Sequence, residues 1–286
     1  MRIGLYSNPD KDPGEAMARR AASAIIESGG VPVVDPDKGD SHLIGMEGIR
    51  KGTYNSCDVL MCFGGDGTFL SAAHHHASQN VPMIGVNLGQ VGFLPEIAPD
   101  EIEEGVHRLL HGTYSIERRM LLDVIALDRE GDMKGRGTAL NDVVITRGGK
   151  SRILTLNLTI GNEPVDRIPG DGIIISTPTG STAYSLSAGG PIIQPDLDLI
   201  LITPVCPHTL HNRSYITRSD STVDVSVDAY PYLVLLSIDG REELYLTQYD
   251  QIRVRRSATD LGLVRLGLRS FYTTLSEKIS ARGKSR

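Results

Sequence analysis

Apolar positions in the first hundred residues alternate between runs typical of buried strands and runs typical of helices. Strands covered on both faces of a parallel sheet are apolar at nearly every position, and several short runs have this character. Pro13–Ser28 instead carries Ala, Met and Ile at helical spacing and ends before Gly29-Gly30. The alternation predicts a mostly parallel sheet covered by helices. The predicted strands are Arg2–Ser7, Val31–Val34, Val59–Phe63 and Val81–Val86.

The pattern changes after about residue 112, where short β-rich runs follow one another between Gly, Asp and Asn turns. Long helical patterns are scarce there, after a predicted helix at Asp100–His111. This half therefore predicts antiparallel β structure in two packed sheets. The predicted strands are Met120–Leu127, Ala139–Thr146, Ile153–Ile160, Gly172–Ser176, Ser221–Val227, Leu233–Ile238, Leu244–Leu246 and Gln251–Arg255.

These patterns predict two domains. Residues 1–99 form an α/β domain with a mostly parallel sheet, and residues 100–269 form an all-β, sandwich-like domain. Residues 270–286 are a candidate for returning to the first domain. Their polar and basic end, Ser280–Arg286, is expected to fray.

The composition fits a globular protein with a sizeable core, since 40% of the 286 residues are hydrophobic and 22% are charged. A net charge of −6 argues against a general binder of nucleic acid or acidic membrane. The cysteines, Cys57, Cys62 and Cys206, lack CxxC spacing, which favours a reducing compartment and no metal cage. No apolar stretch is long enough for a signal core or a membrane span. We therefore expect a cytoplasmic protein.

A glycine-rich loop follows the predicted strand Val59–Phe63 and precedes a predicted helix from Thr68 to about Ser78. The loop reads Gly64-Gly65-Asp66-Gly67-Thr68. Glycines at such a turn let the backbone approach a ligand, and the N–H groups at a helix start favour a phosphate. The alternative is a tight turn in which Asp66 caps the helix. Three glycines with a carboxylate and a hydroxyl at a sheet's carboxyl edge favour a phosphate site.

A second segment, Asp171–Pro191, begins as an apolar strand and continues as small hydroxyl residues around Gly180, with an embedded Tyr184. Small residues let a flat ring or a sugar approach the backbone, and hydroxyls supply directional hydrogen bonds. The alternative is a Ser/Thr-rich surface loop. The residues alone therefore indicate a binding segment without naming its ligand.

Both segments resemble known kinases. Gly64–Thr68 is similar to a motif shared by NAD kinases, diacylglycerol and sphingosine kinases, and phosphofructokinases. Asp171–Pro191 resembles the NAD kinase signature nearly end to end. Three further segments resemble blocks of that family in the same chain order: Asn87–Leu94, Leu140–Ile145 and Thr203–His208. The resemblance covers roughly residues 1–275.

The resemblance implies a role for each matched residue. Asp66 is expected to accept a proton from the 2′-hydroxyl of NAD, and Asp171 to bind a ribose hydroxyl. Asn141 and Asp142 are expected to hold the adenosine, although the family usually has Asn-Glu and the shorter Asp142 reaches less far. Asp239 resembles a further site carboxylate, with a hairpin Asp-Gly turn as an open alternative. Gly64, Gly65, Gly67 and Thr68 are expected to cradle the donor phosphates, and Thr182, Ala183, Tyr184 and Ser187 to line the adenine and ribose pocket.

The implied activity is transfer of a phosphoryl group from ATP, or another nucleotide or polyphosphate, to NAD. It further implies Mg²⁺ carried with the nucleotide phosphates, no metal ligands from the chain itself, and a homo-oligomer, either a dimer or a tetramer. No nucleic-acid or membrane partner is expected. The alternatives are a lipid kinase of the diacylglycerol kinase type and a non-catalytic NADP(H)-binding sensor. Arg147–Lys150 is expected to be solvated, with contact of Arg147 or Lys150 to a phosphate as the alternative.

Overall fold

The computed structural model describes residues 1–38, 41–76, 81–89, 92–149, 152–209 and 213–283. The chain divides into two compact units. The first consists of Met1–Arg118 and Leu261–Arg286, and the second of Arg119–Asp260. An α/β unit with a parallel sheet and a mostly antiparallel β unit are the predicted fold classes, and both are confirmed.

The sheet of the first unit is parallel throughout its central strands. Its order is β5-β4-β1-β2-β3, and the end of β17 pairs parallel with β5 through Leu263 and Met83. The predicted strands are thus confirmed with shifts of one or two residues at their ends. The strands are β1 (Arg2–Ser7), β2 (Val31–Val34), β3 (Arg50–Lys51), β4 (Val59–Gly64), β5 (Met83–Asn87) and β17 (Gln251–Arg265).

Helices cover this sheet because each has an apolar face. In α1 (Ala16–Glu27) the buried residues Ala18, Ala21, Ala22 and Ile25 recur at intervals of three or four positions. Ile102, Val106 and Leu109 of α3 (Ile102–Leu110) are buried in the same core as Val264 and Leu266. The remaining helices of the unit are α2 (Asp66–His76) and α5 (Phe271–Gly283).

The burial of α3 explains why the first unit is larger than predicted. Its boundaries lie at 118/119 and 260/261 rather than at 99/100 and 269/270. The predicted boundary places the helix Asp100–His111 in the second domain, but the apolar face of α3 completes the core of the first unit. The return of the C-terminal segment likewise begins earlier, because the end of β17 already belongs to the first unit.

The second unit is built from antiparallel strands around a shared core. One sheet has the order β10-β9-β14-β17, with β6 and β7 paired as a hairpin, and the other has the order β13-β12-β11-β8-β15-β16. Buried Val, Leu and Ile side chains from both sheets form the core. The strands are β6 (Ser115–Leu127), β7 (Met133–Ala139), β8 (Asp142–Arg147), β9 (Leu154–Ile160), β10 (Glu163–Gly170), β11 (Gly172–Ser176), β12 (Leu199–Val205), β13 (Tyr215–Arg218), β14 (Val223–Val227), β15 (Val234–Ile238) and β16 (Arg241–Leu246).

One predicted strand of this unit is wrong. Ala139–Thr146 is divided, because β7 ends at Ala139 and β8 begins at Asp142. The backbone N–H groups of Leu140 and Asn141 donate to a side chain, the carboxylate of Asp239, and do not continue a strand ladder. Among the described residues, no helix is long and apolar enough to span a membrane.

Candidate active site

The glycine-rich loop joins β4 to α2 at the carboxyl edge of the parallel sheet. The carbonyl of Gly65 accepts the first helical hydrogen bond, from the Phe69 N–H at 3.1 Å. Asp66 is therefore the first helical residue, two positions earlier than the predicted start at Thr68. Residues 77 and 78 of the predicted helix lie outside the described residues. The N–H groups of this first turn make the loop a place where an anion is stabilised.

The glycines of the loop fall into two classes. A Cβ on Gly64 would lie 2.3 Å from Oγ1 of Thr68, so the fold itself requires glycine there. A Cβ on Gly65 or Gly67 would meet no described heavy atom within 4 Å. Packing among the described residues therefore gives no reason for glycine at these two positions, and within that part of the chain space for a ligand is left close to the backbone.

Thr68 stabilises the conformation of the glycine loop. Its side chain is buried, and its Oγ1 accepts a hydrogen bond of 3.0 Å from the side-chain amide of Asn8, the residue after β1. Parallel strands β1 and β4 are neighbours, so their carboxyl ends bring these residues together. The hydroxyl thus fixes the shape of the turn on which the phosphate contacts of Gly65 and Gly67 would depend.

The Asp66 carboxylate is held by the chain segment that follows β5. The backbone N–H groups of Phe93 and Leu94 donate to its Oδ1 at 3.0 and 3.1 Å. A Cβ on Gly92 would lie 2.5 Å from the same oxygen, so glycine is needed for this approach. Lys278 of α5 donates to Oδ2 at 3.1 Å. These four residues were not predicted as site residues, although Gly92, Phe93 and Leu94 belong to the Asn87–Leu94 block, of which residues 90 and 91 lie outside the described ones.

In the second unit, the hydroxyl-rich segment after β11 folds against Asn141. The Thr177 N–H donates to the Asn141 carbonyl at 2.9 Å, and Thr177 Oγ1 donates to the Leu140 carbonyl at 2.5 Å. A Cβ on Gly180 would lie 2.1 Å from the Asn141 carbonyl oxygen. The glycine at 180 is therefore required by an approach of backbone to backbone, and the predicted approach of a ring or sugar to this segment stays a prediction.

Asp239 also fixes the backbone around Asn141. It lies in the turn between β15 and β16, where Asp239 and Gly240 have φ values of 51° and 69°. This is the hairpin Asp-Gly turn that was open as an alternative. The carboxylate also accepts the backbone N–H groups of Leu140, Asn141 and Asp142, at 2.8, 2.7 and 2.9 Å. Asp239 thus positions the Asn141-Asp142 pair.

Asp142 is a buried carboxylate with an exposed fraction of 4%. Burial, followed by the neighbouring Asp239 carboxylate, raises the pKa of Asp142 to about 7. A hydrogen bond from the Tyr184 backbone N–H lowers this pKa. A carboxyl group that is partly protonated near neutral pH can donate as well as accept a hydrogen bond, which suits a ribose hydroxyl.

The remaining residues of the predicted adenine pocket lie on the turn Thr179–Thr182, on α4 (Tyr184–Ser187) and at Ala183, which joins the two. Thr182 is buried, with its hydroxyl donating to the Thr179 carbonyl at 3.2 Å. Ala183 is half-buried and Ser187 is exposed. Tyr184 is 45% exposed, so its ring has a free face on which a base can stack.

Asp171 lies at the opposite end of β11. Asp171 and Thr177 are six positions apart, which corresponds to about 20 Å along an extended strand. Its Oδ1 accepts from Arg147 Nε at 2.7 Å in a half-exposed ion pair. Within one chain, the structure does not bring Asp171 to Asn141. Lys150, the alternative phosphate contact, lies outside the described residues.

The comparisons with known proteins cover both units. The family model described as the ATP-NAD kinase N-terminal domain matches residues 3–114, and the ATP-NAD kinase C-terminal domain matches residues 140–266. An NAD kinase of Acetivibrio thermocellus is 40% identical over 293 aligned positions, which cover 100% of this chain and 99% of that protein. The chain belongs to the NAD kinase family.

Other members of the family give the same result. NAD kinases of Ruminiclostridium cellulolyticum and Natranaerobius thermophilus are 37% and 39% identical, over 98% and 97% of this chain and the same shares of those proteins. Among solved structures, yeast NADH kinase complexed with NADH matches with a TM-score of 0.86 and 24% identity, covering 98% of this chain and 87% of that one. An Archaeoglobus fulgidus NAD kinase in complex with ATP matches with a TM-score of 0.76 and 21% identity, covering 98% and 99%. At these identities the structures show a shared fold.

Proposed function

We propose that this enzyme transfers the terminal phosphoryl group of ATP to the 2′-hydroxyl of the adenosine ribose of NAD, giving NADP. The observation that carries the proposal is the placement of Asp66. It is the first residue of α2, within the glycine loop, and its carboxylate is oriented by the Phe93 and Leu94 N–H groups. Membership of the NAD kinase family supports the same acceptor and disfavours a lipid kinase.

The phosphate loop is proposed to bind the donor. The backbone of Gly64, Gly65 and Gly67 and the first turn of α2 supply N–H groups, and Thr68 fixes their geometry. In phosphoryl transfer the charge is spread over the transferred group. Catalysis therefore depends mainly on fixed dipoles that stabilise this charge in the transition state. The loop provides these dipoles without the mobility of side chains.

Asp66 is proposed to be the general base. The 2′-oxygen forms a bond to the terminal phosphorus of ATP, and the bond from that phosphorus to the bridging oxygen of ADP breaks. The electron pair leaves with ADP, and the hydroxyl proton passes to the Asp66 carboxylate. A sensor that only bound NADP(H) would gain little from a carboxylate beside phosphates.

The second unit is proposed to bind NAD. Asn141 and Asp142 hold the adenosine, and Asp239 fixes the backbone of these two residues. The adenine ring and the ribose are lined by Thr182, Ala183, Tyr184 and Ser187. The expected weakening of NAD binding by Asn141→Ala is about 0.5–3 kcal/mol, the range for one directional hydrogen bond. The role of Asp171 at a ribose hydroxyl stays a prediction, which calorimetric titration of Asp171→Ala with NAD tests.

A divalent ion is proposed to accompany ATP. No group of three or more His, Cys, Asp or Glu side chains placed to hold a metal occurs in the described part of the chain. We propose that the ion is held chiefly by phosphate oxygens and water, since Mg²⁺ keeps several of its waters when it binds with substrate phosphates. Mg²⁺ would supply partial neutralisation of the phosphate charge. We also propose a cytoplasmic enzyme that forms a dimer or tetramer; the free Cys57, Cys62 and Cys206 thiols support a reducing compartment.

The decisive test is single-turnover NADP formation by Asp66→Asn, alongside equilibrium NAD binding. The amide keeps the size of the carboxylate but cannot take a proton. We expect turnover to fall by about 10²–10⁴-fold, the usual contribution of a positioned base, with NAD affinity changed much less. A variant that turns over within a few-fold of wild type removes Asp66 as the base. Wild-type protein that binds NADP and never forms it would favour the sensor.

A further inference from the structure

The C-terminal helix α5 carries a lysine to the phosphate loop. Lys278 is 212 positions from Asp66 in sequence, yet its Nζ lies 3.1 Å from Asp66 Oδ2. The same ammonium lies 4.2 Å from the centre of the Phe93 ring. Phe271, at the start of α5, packs against Phe93 with ring centres 5.9 Å apart. Lys278 is thus placed by its own contacts with Asp66 and Phe93, and its helix is placed by the contact between Phe271 and Phe93. The Lys278 side chain is 24% exposed.

The ion pair conflicts with the work proposed for Asp66. Its carboxylate accepts the Leu94 N–H on Oδ1, the Phe93 N–H on Oδ1 at 3.0 Å and on Oδ2 at 3.3 Å, and the Lys278 ammonium on Oδ2 at 3.1 Å. An ammonium bonded to Oδ2 occupies a lone-pair position of that oxygen, and the acceptor hydroxyl needs such a position to donate its proton. The backbone donors are fixed by the chain, whereas the ammonium stands on a flexible stem of four carbons. Lys278 is therefore the donor that can withdraw, and its departure leaves Oδ2 with the longer Phe93 contact and with room for the acceptor hydroxyl.

The phosphate loop offers the ammonium a second partner. The transferred phosphoryl group would bind at the same helix start that carries Asp66, and it bears charge on its non-bridging oxygens. A lysine acts on phosphate as a mobile point charge. The Phe93 ring face stays beside the ammonium during such a movement, because cation–π attraction extends to about 6 Å.

We propose that Lys278 is a catalytic cation for phosphoryl transfer. Before substrates bind, its ammonium pairs with Asp66 Oδ2; with substrates bound, it contacts a non-bridging oxygen of the transferred phosphoryl group and releases Oδ2 to accept the hydroxyl proton. Lys278 keeps its own protons throughout, and the bonds that form and break are those of the transfer step itself. The inference rests on the proposed function and adds a second residue to its mechanism.

The competing explanation is a structural ion pair that only fastens α5 to the loop. Lys278→Met separates the two, because methionine keeps much of the stem and removes the charge. We expect its single-turnover rate to fall by about 10²–10³-fold, as for loss of one charge-stabilising group, with the NAD dissociation constant within about threefold of wild type. Lys278→Arg is expected to recover at least a tenth of the wild-type rate. Glu277→Gln, a matched control for an exposed charge on the same helix, is expected to stay within twofold.

A second variant distinguishes action on the phosphoryl group from action through Asp66. In the double variant Asp66→Asn with Lys278→Met, both charges are absent, so no unpaired charge is left to unfold the loop. If Lys278 contacts the phosphoryl group, the double variant is at least about tenfold slower than Asp66→Asn alone. Equal rates for these two variants would overturn the proposal, as would Lys278→Met within threefold of wild type. Failure of the proposed function looks different: wild type forms no NADP, or Asp66→Asn remains fully active.

Discussion

Replacement of the buried Asp142 by Asn should stabilise the protein at neutral pH. Asp142 is 4% exposed, and its pKa is raised to about 7 by burial and by Asp239, from an ordinary value of 3.8. Between these two pH values the folded state holds a proton that the unfolded chain has lost. Stability therefore falls as the pH rises from about 4 to about 7, because the folded state binds more protons in this window.

The magnitude follows from the two pKa values. A difference of about 3 pH units at about 1.4 kcal/mol each is worth about 4 kcal/mol at most. An asparagine does not ionise, and its side-chain oxygen can still accept from the Tyr184 N–H. We expect Asp142→Asn to gain about 3–4 kcal/mol on wild type between pH 4 and pH 8, nearly all of it below pH 7.5.

Urea unfolding of both proteins at each pH measures this gap, since titrations common to the two cancel. Asp220→Asn is a matched control in the same unit: Asp220 forms an exposed pair with Arg218, and exposed pairs contribute about 0–1 kcal/mol. Its gap to wild type should change by less than about 1 kcal/mol over the same range. The free energy of unfolding of Asp142→Asn minus that of wild type should rise with pH. A difference that falls or stays constant would refute the raised pKa of Asp142 as its cause.

Further predictions concern the glycines and the turn carboxylate. Gly64→Ala should lower the free energy of unfolding by about 1–3 kcal/mol through overpacking, seen in urea titrations, whereas Gly67→Ala should leave it within about 1 kcal/mol and raise the KM for ATP tenfold or more. Gly92→Ala displaces the Asp66 carboxylate, so turnover should fall at least tenfold with the NAD dissociation constant unchanged; normal turnover would show that the carboxylate tolerates the displacement. Asp239→Asn loses at least one of three backbone hydrogen bonds, so thermal melting and NAD titration should both show a loss of about 1–3 kcal/mol, and wild-type values in both would contradict the positioning role.

The buried strands of the first unit were predictable because a strand covered on both faces is apolar at nearly every position. β4 is apolar at every position up to its final glycine and is buried throughout, so its sequence alone indicates a central strand. The strand β10, with sequence EPVDRIPG, has the opposite character: it is a mostly exposed edge with two prolines, and only its pairing with β9 makes it a strand. β12, with sequence LILITPV, carries a strand signal that the prediction overlooked.

In the candidate site too, local motifs were predictable and long-range contacts were not. The glycine loop and the hydroxyl segment are local motifs, and the structure shows both at ends of strands, where the motifs predict them. The contacts that orient Asp66 and Asn141 come from residues far along the chain, Lys278 and Asp239. No local pattern marks a lysine on a helix as the partner of a carboxylate 212 positions earlier. Such contacts depend on the register of the folded chain, which periodicity does not contain.

The Asp239 turn bears on the order in which the chain folds. Its carboxylate meets backbone groups 97 to 99 positions earlier, so the segment 140–142 reaches its native shape only after β8 and β15 have paired. Closing a loop of that length is slow compared with forming a helix or a hairpin. The glycine loop, by contrast, lies between neighbouring elements of a βαβ unit. A refolding chain should therefore regain the shape of its phosphate loop before it regains affinity for dinucleotide.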